Sequence, residues 1–313
     1  MSGIDLLLRT AIDYERTHQL AIFTLLEKSN FSSFLLGISD VQSVIWEPER
    51  QLFDLEVQSK SKKGYIEIKM WSSLTESQFE RQKDFLTKNS YIGYYILLGT
   101  TWFEYLSGDI ENKSKGIATK IGYKELISAL NSLIITPDQS ADVYELALAY
   151  RNALQEQFSM IKNAYTTNDS GKLFFYSLYR EIQKRIKNMN TSIYTVNNPG
   201  GSVYILNNSD YWKKFSIGNV SGELYYEVVN GRLCIKFYSE AEKKDKYMIR
   251  DRIRKAVKDV LSPKYKVIDT GRLGAYMTAC QIDYDFTDIK KIDKSAVVFQ
   301  DIANEFDKII KQI

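Results

Sequence analysis

Asp54, Glu67 and Lys69 combine types and spacing that could do chemistry. Asp54 interrupts an apolar run of Leu52, Phe53, Leu55 and Val57, while Glu67 and Lys69 alternate with Ile66 and Ile68 in a second run that includes Tyr65 and Met70. Successive strand side chains point to opposite faces, so Glu67 and Lys69 share the face that Ile66 and Ile68 leave. The stretch between the runs, SKSKKG, is polar and ends in glycine, as a hairpin connection requires. Folding that hairpin brings two acids and an amine onto one patch of sheet. Carboxylates brought together in a strand repel unless a cation lies between them. A divalent ion held by Asp54 and Glu67 answers this, and hard oxygen ligands suit Mg2+ or Mn2+ with waters completing the shell. Lys69 would then stand beside an attacking water or a phosphate oxygen. A plainer reading is a solvent-facing strand pair with a Glu67–Lys69 partnership. Glu56, on Asp54's face two residues on, competes for the role of first acid.

The elements that must position these groups follow from periodicity. Apolar residues repeat at three and four positions over residues 4–28, predicting one helix, with Glu15 and His18 on neighbouring positions of its surface. His18, the one histidine, is expected to be a helix-surface or core residue satisfied by a backbone partner, with direct catalysis as the alternative. A strand over 42–46 leads to the hairpin, with Glu47, Glu49 and Arg50 as loop charges. A helix over 75–88 lines up Gln78, Gln82 and Phe85, and the Gln78 amide, both donor and acceptor, suits orienting a water or a phosphate. The run YIGYYILL, 91–98, reads as a central strand buried on both faces.

Asp54, then Glu67-Ile68-Lys69 after a hairpin, then Gln78 in the next helix, resembles the PD-(D/E)xK phosphodiesterase superfamily, the restriction-endonuclease-like nucleases. Leu74, Thr75 and Glu76 lead into that helix as in family members. Glu15 followed by His18 and an apolar helix is similar to the acidic first helix of one bacterial branch. Phe53 stands where the family's naming proline would be. The resemblance covers about the first half of the chain. It implies an α/β fold, a mixed sheet flanked by helices, and a Mg2+- or Mn2+-dependent nuclease acting on DNA in defence or repair. Asp54, Glu67, Lys69, Gln78 and Glu15 would be its catalytic residues. Asp54, Glu67, the Ile68 carbonyl and Glu15 would hold the metal. The rival expectation is a catalytically silent module that keeps the fold and binds nucleic acid or protein.

Further along, a polar loop over 107–116, a short strand over 118–123 and a helix over 123–133 complete a core ending near residue 136. Helices over 140–165 and 173–189, joined by TTNDSG, form a helical connection spanning 137–190. Residues 191–313 read as an α+β domain, with a turn at 197–202 and strands over 203–206, 224–229, 233–238 and 276–286. Helices are expected over 246–261 and 295–313, and Asn230-Gly231 is a tight hairpin signal. Arg250, Arg254 and Lys258 recur every fourth residue on the first of these helices, offering a cationic side for phosphates; a solvated face balanced by Asp251 and Asp259 is the alternative. Lys60, Lys62 and Lys63, at the hairpin tip beside the proposed site, are the other candidate phosphate contacts.

At 313 residues the chain can bury two cores. A net charge of +3 leaves any basic footprint to be local. Its two cysteines, Cys234 and Cys280, give neither zinc spacing nor a disulfide framework, which points to a reduced, cytoplasmic protein. Asp5 and Asp13 argue against a secretory leader, and no apolar run approaches the ~20 residues of a membrane span. A protein partner or a second copy of the chain remains open.

Overall fold

The computed structural model describes residues 3–48, 52–71, 75–106, 118–137, 139–167, 171–198, 201–208, 210, 212–270 and 276–313. The chain divides into two compact units, 1–163 and 164–313. The stretch 137–190 is therefore shared between units, because its first helix packs on the first unit and its second on the other.

The first unit is mixed α/β. Helices α1 (Gly3–Ala11), α2 (Glu15–Lys28) and α3 (Phe31–Leu35) precede strands β1 (Val41–Trp46), β2 (Leu55–Ser59) and β3 (Lys63–Lys69). Then come α4 (Glu76–Asn89), β4 (Ile92–Leu97), α5 (Thr101–Leu106), β5 (Ala118–Ile121), α6 (Tyr123–Ile134) and α7 (Ala141–Lys162). The strands form one sheet in the order β1-β2-β3-β4-β5, antiparallel from β1 to β3 and parallel from β3 to β5. Residues Tyr94–Leu98 are all buried, as the apolar run predicts for a strand paired on both sides. Thr75 caps α4 by accepting from the Gln78 amide at 3.2 Å, and Ser90 closes it in the left-handed region at φ +56°. Gly99 (φ +52°) follows β4 where a Cβ would lie 2.4 Å from the Met70 carbonyl, so glycine lets the ends of β3 and β4 close together.

The single helix expected over 4–28 is broken at residues 12–14. The Ile12 carbonyl is taken by side chains, accepting from His18 Nε2 at 2.8 Å and Gln157 Nε2 at 3.0 Å, and the chain restarts as α2 at Glu15. With Nε2–H donated to Ile12, His18 Nδ1 accepts from the Tyr150 hydroxyl at 2.8 Å. Burial holds this imidazole neutral, pushing its pKa down to about 4.

The second unit is a seven-stranded antiparallel sheet with helices. Helix α8 (Lys172–Gln183) precedes β6 (Thr191–Asn198), β7 (Gly201–Asn208), β8 (Lys213–Ile217), β9 (Val220–Val229) and β10 (Arg232–Tyr238). Helix α9 (Lys243–Leu261), β11 (Val267–Asp269), β12 (Tyr276–Asp285) and α10 (Ile292–Gln312) follow. The strand order is β11-β12-β10-β9-β7-β6, with β8 also on β9. Asn230 and Gly231 turn β9 into β10 at φ +46° and +80°, the doubly left-handed turn that this dipeptide signals. Helix α8 ends at Gln183 rather than 189, and β6, β8 and β11 are strands that periodicity did not mark. Residues 199–200 at the tip of the expected 197–202 turn, 168–170 of the TTNDSG linker and the 107–116 loop lie outside the described residues. No described helix is long and apolar enough to cross a membrane.

Tyr150→Phe leaves the buried His18 Nδ1 without its donor. It should cost about 1–3 kcal/mol of unfolding free energy in urea melts, whereas an unchanged midpoint would mean that this contact contributes nothing.

Candidate active site

Strand register sets the geometry. Leu55 pairs with Ile66, so Asp54, one residue before β2, falls opposite Glu67 on the same face. The Asp54 amide donates to the Ile66 carbonyl at 3.0 Å, continuing the ladder by one rung. Its side chain then supplies the next rung, Oδ2 accepting from the Ile68 amide at 2.7 Å. The amide and carbonyl of one strand residue point to the same side, so the Ile68 carbonyl also faces the Asp54 end of β2. From α2, Gln19 Nε2 donates to Asp54 Oδ1 at 2.8 Å.

Glu67 is 3 % exposed. Its Oε1 accepts from Lys69 Nζ and from Gln78 Nε2, both at 2.7 Å, and its Oε2 from Gln82 Nε2 at 3.0 Å. Glu15 opens α2 and reaches the end of β3, where Oε2 accepts from the Met70 amide at 3.1 Å and Oε1 lies 3.9 Å from Lys69 Nζ.

Burial, then the charge of Glu67, pushes the Asp54 carboxyl up to about 7, against the pull of the Ile68 amide and Lys69. Burial also raises Glu67, although Lys69, Gln78 and Gln82 all favour its anion. For Lys69, burial disfavours the ammonium, but Glu67, Glu15 and Asp54 outweigh it and the net direction is up. Lys69 is thus a fixed cation suited to orienting or charge-stabilising work rather than to accepting a proton.

Asp54, Glu67, Lys69 and Gln78 come together as their spacing predicts, and the Ile68 backbone joins them. Glu15 is close enough to act on Lys69, but its carboxylate is taken by the Met70 amide. Among the described residues no group of three or more histidine, cysteine or acidic side chains is gathered to hold a metal. The Asp54 and Glu67 carboxylates and the Ile68 carbonyl gather at this end of the sheet, with the Glu15 carboxylate 3.9 Å from Lys69. These are hard oxygens, of a kind that would suit a divalent ion keeping several waters, and the Lys69 ammonium lies against Glu67. Glu56 is excluded from the pair: it faces Tyr65 two rungs nearer the turn and is bound by Lys63 at 2.6 Å.

The proposed phosphate contacts sit elsewhere. Lys60 and Lys62 are exposed in the turn at the opposite end of the hairpin, and Lys63 to Lys69 spans six strand residues, roughly 20 Å. Lys63 is tied to Glu56 and lies within 5.8 Å of the Tyr65 ring centre and 5.5 Å of the Tyr91 ring centre. On α9 the cationic row is tied into the second unit. Arg254 donates to the carbonyls of Ala279 (2.7 Å) and Thr270, Lys258 pairs with Asp269 at 2.8 Å, and Arg250 packs over Tyr247 beside Asp251. Arg254 and Lys258 therefore tie α9 to β11, β12 and the segment after β11, while Arg250 has its partners within the helix and Lys258 stays exposed. Glu47 pairs with Arg16 at 2.7 Å, while Glu49, Arg50 and Leu74 lie outside the described residues.

Two site residues escaped the list read from sequence. Gln19 follows Glu15 by four, and Gln82 follows Gln78 by four, so helical spacing placed both beside residues already chosen. Comparisons with protein-family models, curated proteins and solved structures find no match to this chain.

Asp54 and His18 act on stability with opposite signs. A carboxyl raised from 3.8 to about 7 makes the folded state bind protons more tightly, so stability falls as pH rises through that window. A histidine lowered from 6.5 to about 4 loses stability as pH falls between those values. Metal-free Asp54→Asn should therefore lose melting temperature on acidification from pH 6.5 to 4 more steeply than wild type. Parallel curves would refute a raised Asp54.

Proposed function

We propose that the chain is a metal-dependent nuclease that hydrolyses phosphodiester bonds in DNA, its first unit being a restriction-endonuclease-like core. The observation that carries this reading is the Asp54–Glu67 pair, two carboxylates side by side on one sheet face with Lys69 against them. Glu67 alone accepts three side-chain hydrogen bonds that fix its direction. Asp54, Glu67 and the Ile68 carbonyl would hold Mg2+ or Mn2+. When bound, such an ion supplies a nucleophilic water at neutral pH and neutralises charge on the phosphoryl oxygens.

The chain's own residues do the rest. Lys69, always protonated, orients the attacking water or a phosphate oxygen and stabilises the anionic transition state. Gln78 holds Glu67 through Nε2, which leaves its Oε1 to align water or substrate. Glu15 keeps Lys69 charged and in place. A second reading rests on the 2.7 Å Lys69–Glu67 contact, which gives the acids an internal counter-ion. On that reading the core is a silent module that binds nucleic acid or protein.

Lys69→Ala is expected to slow Mn2+-supported cleavage of double- or single-stranded DNA about 100-fold or more, and cleavage at the wild-type rate would sink the nuclease reading. Calorimetric titration with Mn2+ separates the alternatives. Heat seen in wild type and lost in Asp54→Asn supports the nuclease, and none in either supports the silent module.

A further inference from the structure

Gln82 joins the two segments that carry the acids. Its Nε2 donates at once to Glu67 Oε2 at 3.0 Å and to the Leu52 carbonyl at 2.8 Å. Leu52 lies two residues before Asp54, so one amide ties the second acid to the segment that delivers the first. The side chain is fully buried (0 % exposed), and its Oε1 is buried without a hydrogen-bond partner. Turning the amide over would set Oε1 against the Leu52 carbonyl and the Glu67 carboxylate, so the two oxygens that Nε2 serves fix its orientation. A buried acceptor left unpaired is destabilising, and a residue serving the core alone could avoid that with an apolar side chain.

The choice of an amide has a second consequence. Gln82, like Gln19 on Asp54, donates hydrogen bonds without bringing charge. A lysine or arginine there could hold the same oxygens, but would add a second cation beside Lys69 and cancel the negative charge that attracts a divalent ion. With neutral donors the acids are aimed without a second cation beside Lys69.

We propose that Gln82 is the positioning residue of the metal site, a neutral clamp that sets Glu67 and the Asp54 segment relative to each other while leaving their charge for the cation. This rests on the nuclease reading and goes beyond it by assigning how the ligands are held. Outer partners of metal-binding carboxylates act in this way, and their loss commonly weakens metal affinity about 10- to 100-fold.

The test is calorimetric titration with MnCl2 on the full chain, with thermal melts in metal-free buffer. Wild type, Asp54→Asn, Gln82→Met and Gln82→Lys are compared. Gln82→Met removes the donor, whereas Gln82→Lys keeps a donor and adds charge. Wild-type binding that Asp54→Asn abolishes marks the site. Gln82→Met should then bind Mn2+ about 10- to 100-fold more weakly, and Gln82→Lys should melt near wild type yet bind at least as poorly as Gln82→Met. The Gln82→Lys result is one that a purely structural role would not give. Wild-type affinity in both variants overturns the assignment while leaving the nuclease reading intact. Failure of both to fold overturns it too, by making Gln82 a residue of the core. Absence of Mn2+ binding in wild type overturns the nuclease reading and this inference with it.

Discussion

Like charges avoid each other in low dielectric, yet the ladder between β2 and β3 leaves Asp54 and Glu67 as cross-strand neighbours. The register pairs Leu55 with Ile66 and Val57 with Gly64, and a slip of one residue would turn the buried Leu55, Val57, Ile66 and Ile68 away from their side of the sheet. Burying those residues therefore holds the acids side by side. Asp54 is held further because its carboxylate replaces a backbone rung for Ile68, so moving it would orphan an amide at the end of β3. The hydrophobic side of the sheet thus pays for the electrostatic strain on the other.

Relief of that strain comes from three directions. Lys69 brings the one positive charge, from the same strand as Glu67. Helix α4 brings two amides one turn apart and α2 brings a third, while the Glu15 carboxylate of α2 adds to the repulsion on Asp54 and supports the charge of Lys69. Each helix arrives with a defined start. Thr75 caps α4 just before Gln78, and α2 begins at Glu15 because the chain breaks at Ile12. Caps and breaks, more than the helices' apolar faces, determine which turn of each meets the end of the sheet.

Strand alternation was enough to place Glu67 and Lys69 on one face, because period two is a property of the backbone itself, whereas choosing Asp54 over Glu56, and Gln78 in the helix, rested on the resemblance. What spacing lacks is the identity of the opposing surface. Arg250, Arg254 and Lys258 do share a side of α9, but periodicity is silent about the carbonyls and aspartates lying over that side. Lys60 and Lys62 were misplaced for a simpler reason: a hairpin has two ends, and Glu67 is at the end away from the turn. Gln19 was hidden because its partner depends on how α2 crosses the sheet. Small edge elements such as β8 and β11 are too short to carry a pattern, and they form because a neighbouring strand offers them a ladder.

The knot of His18, Tyr150, Ile12 and Gln157 touches neither acid, yet it decides where α2 starts and so how far Glu15 and Gln19 extend. A graft of only β2, β3 and α4 onto another scaffold would transfer the charged groups without the pieces that steer them. The minimal transferable cassette is larger than its reactive residues suggest, running from α1 to α7 because a histidine near one end of the unit and a tyrosine near the other are joined by a hydrogen bond.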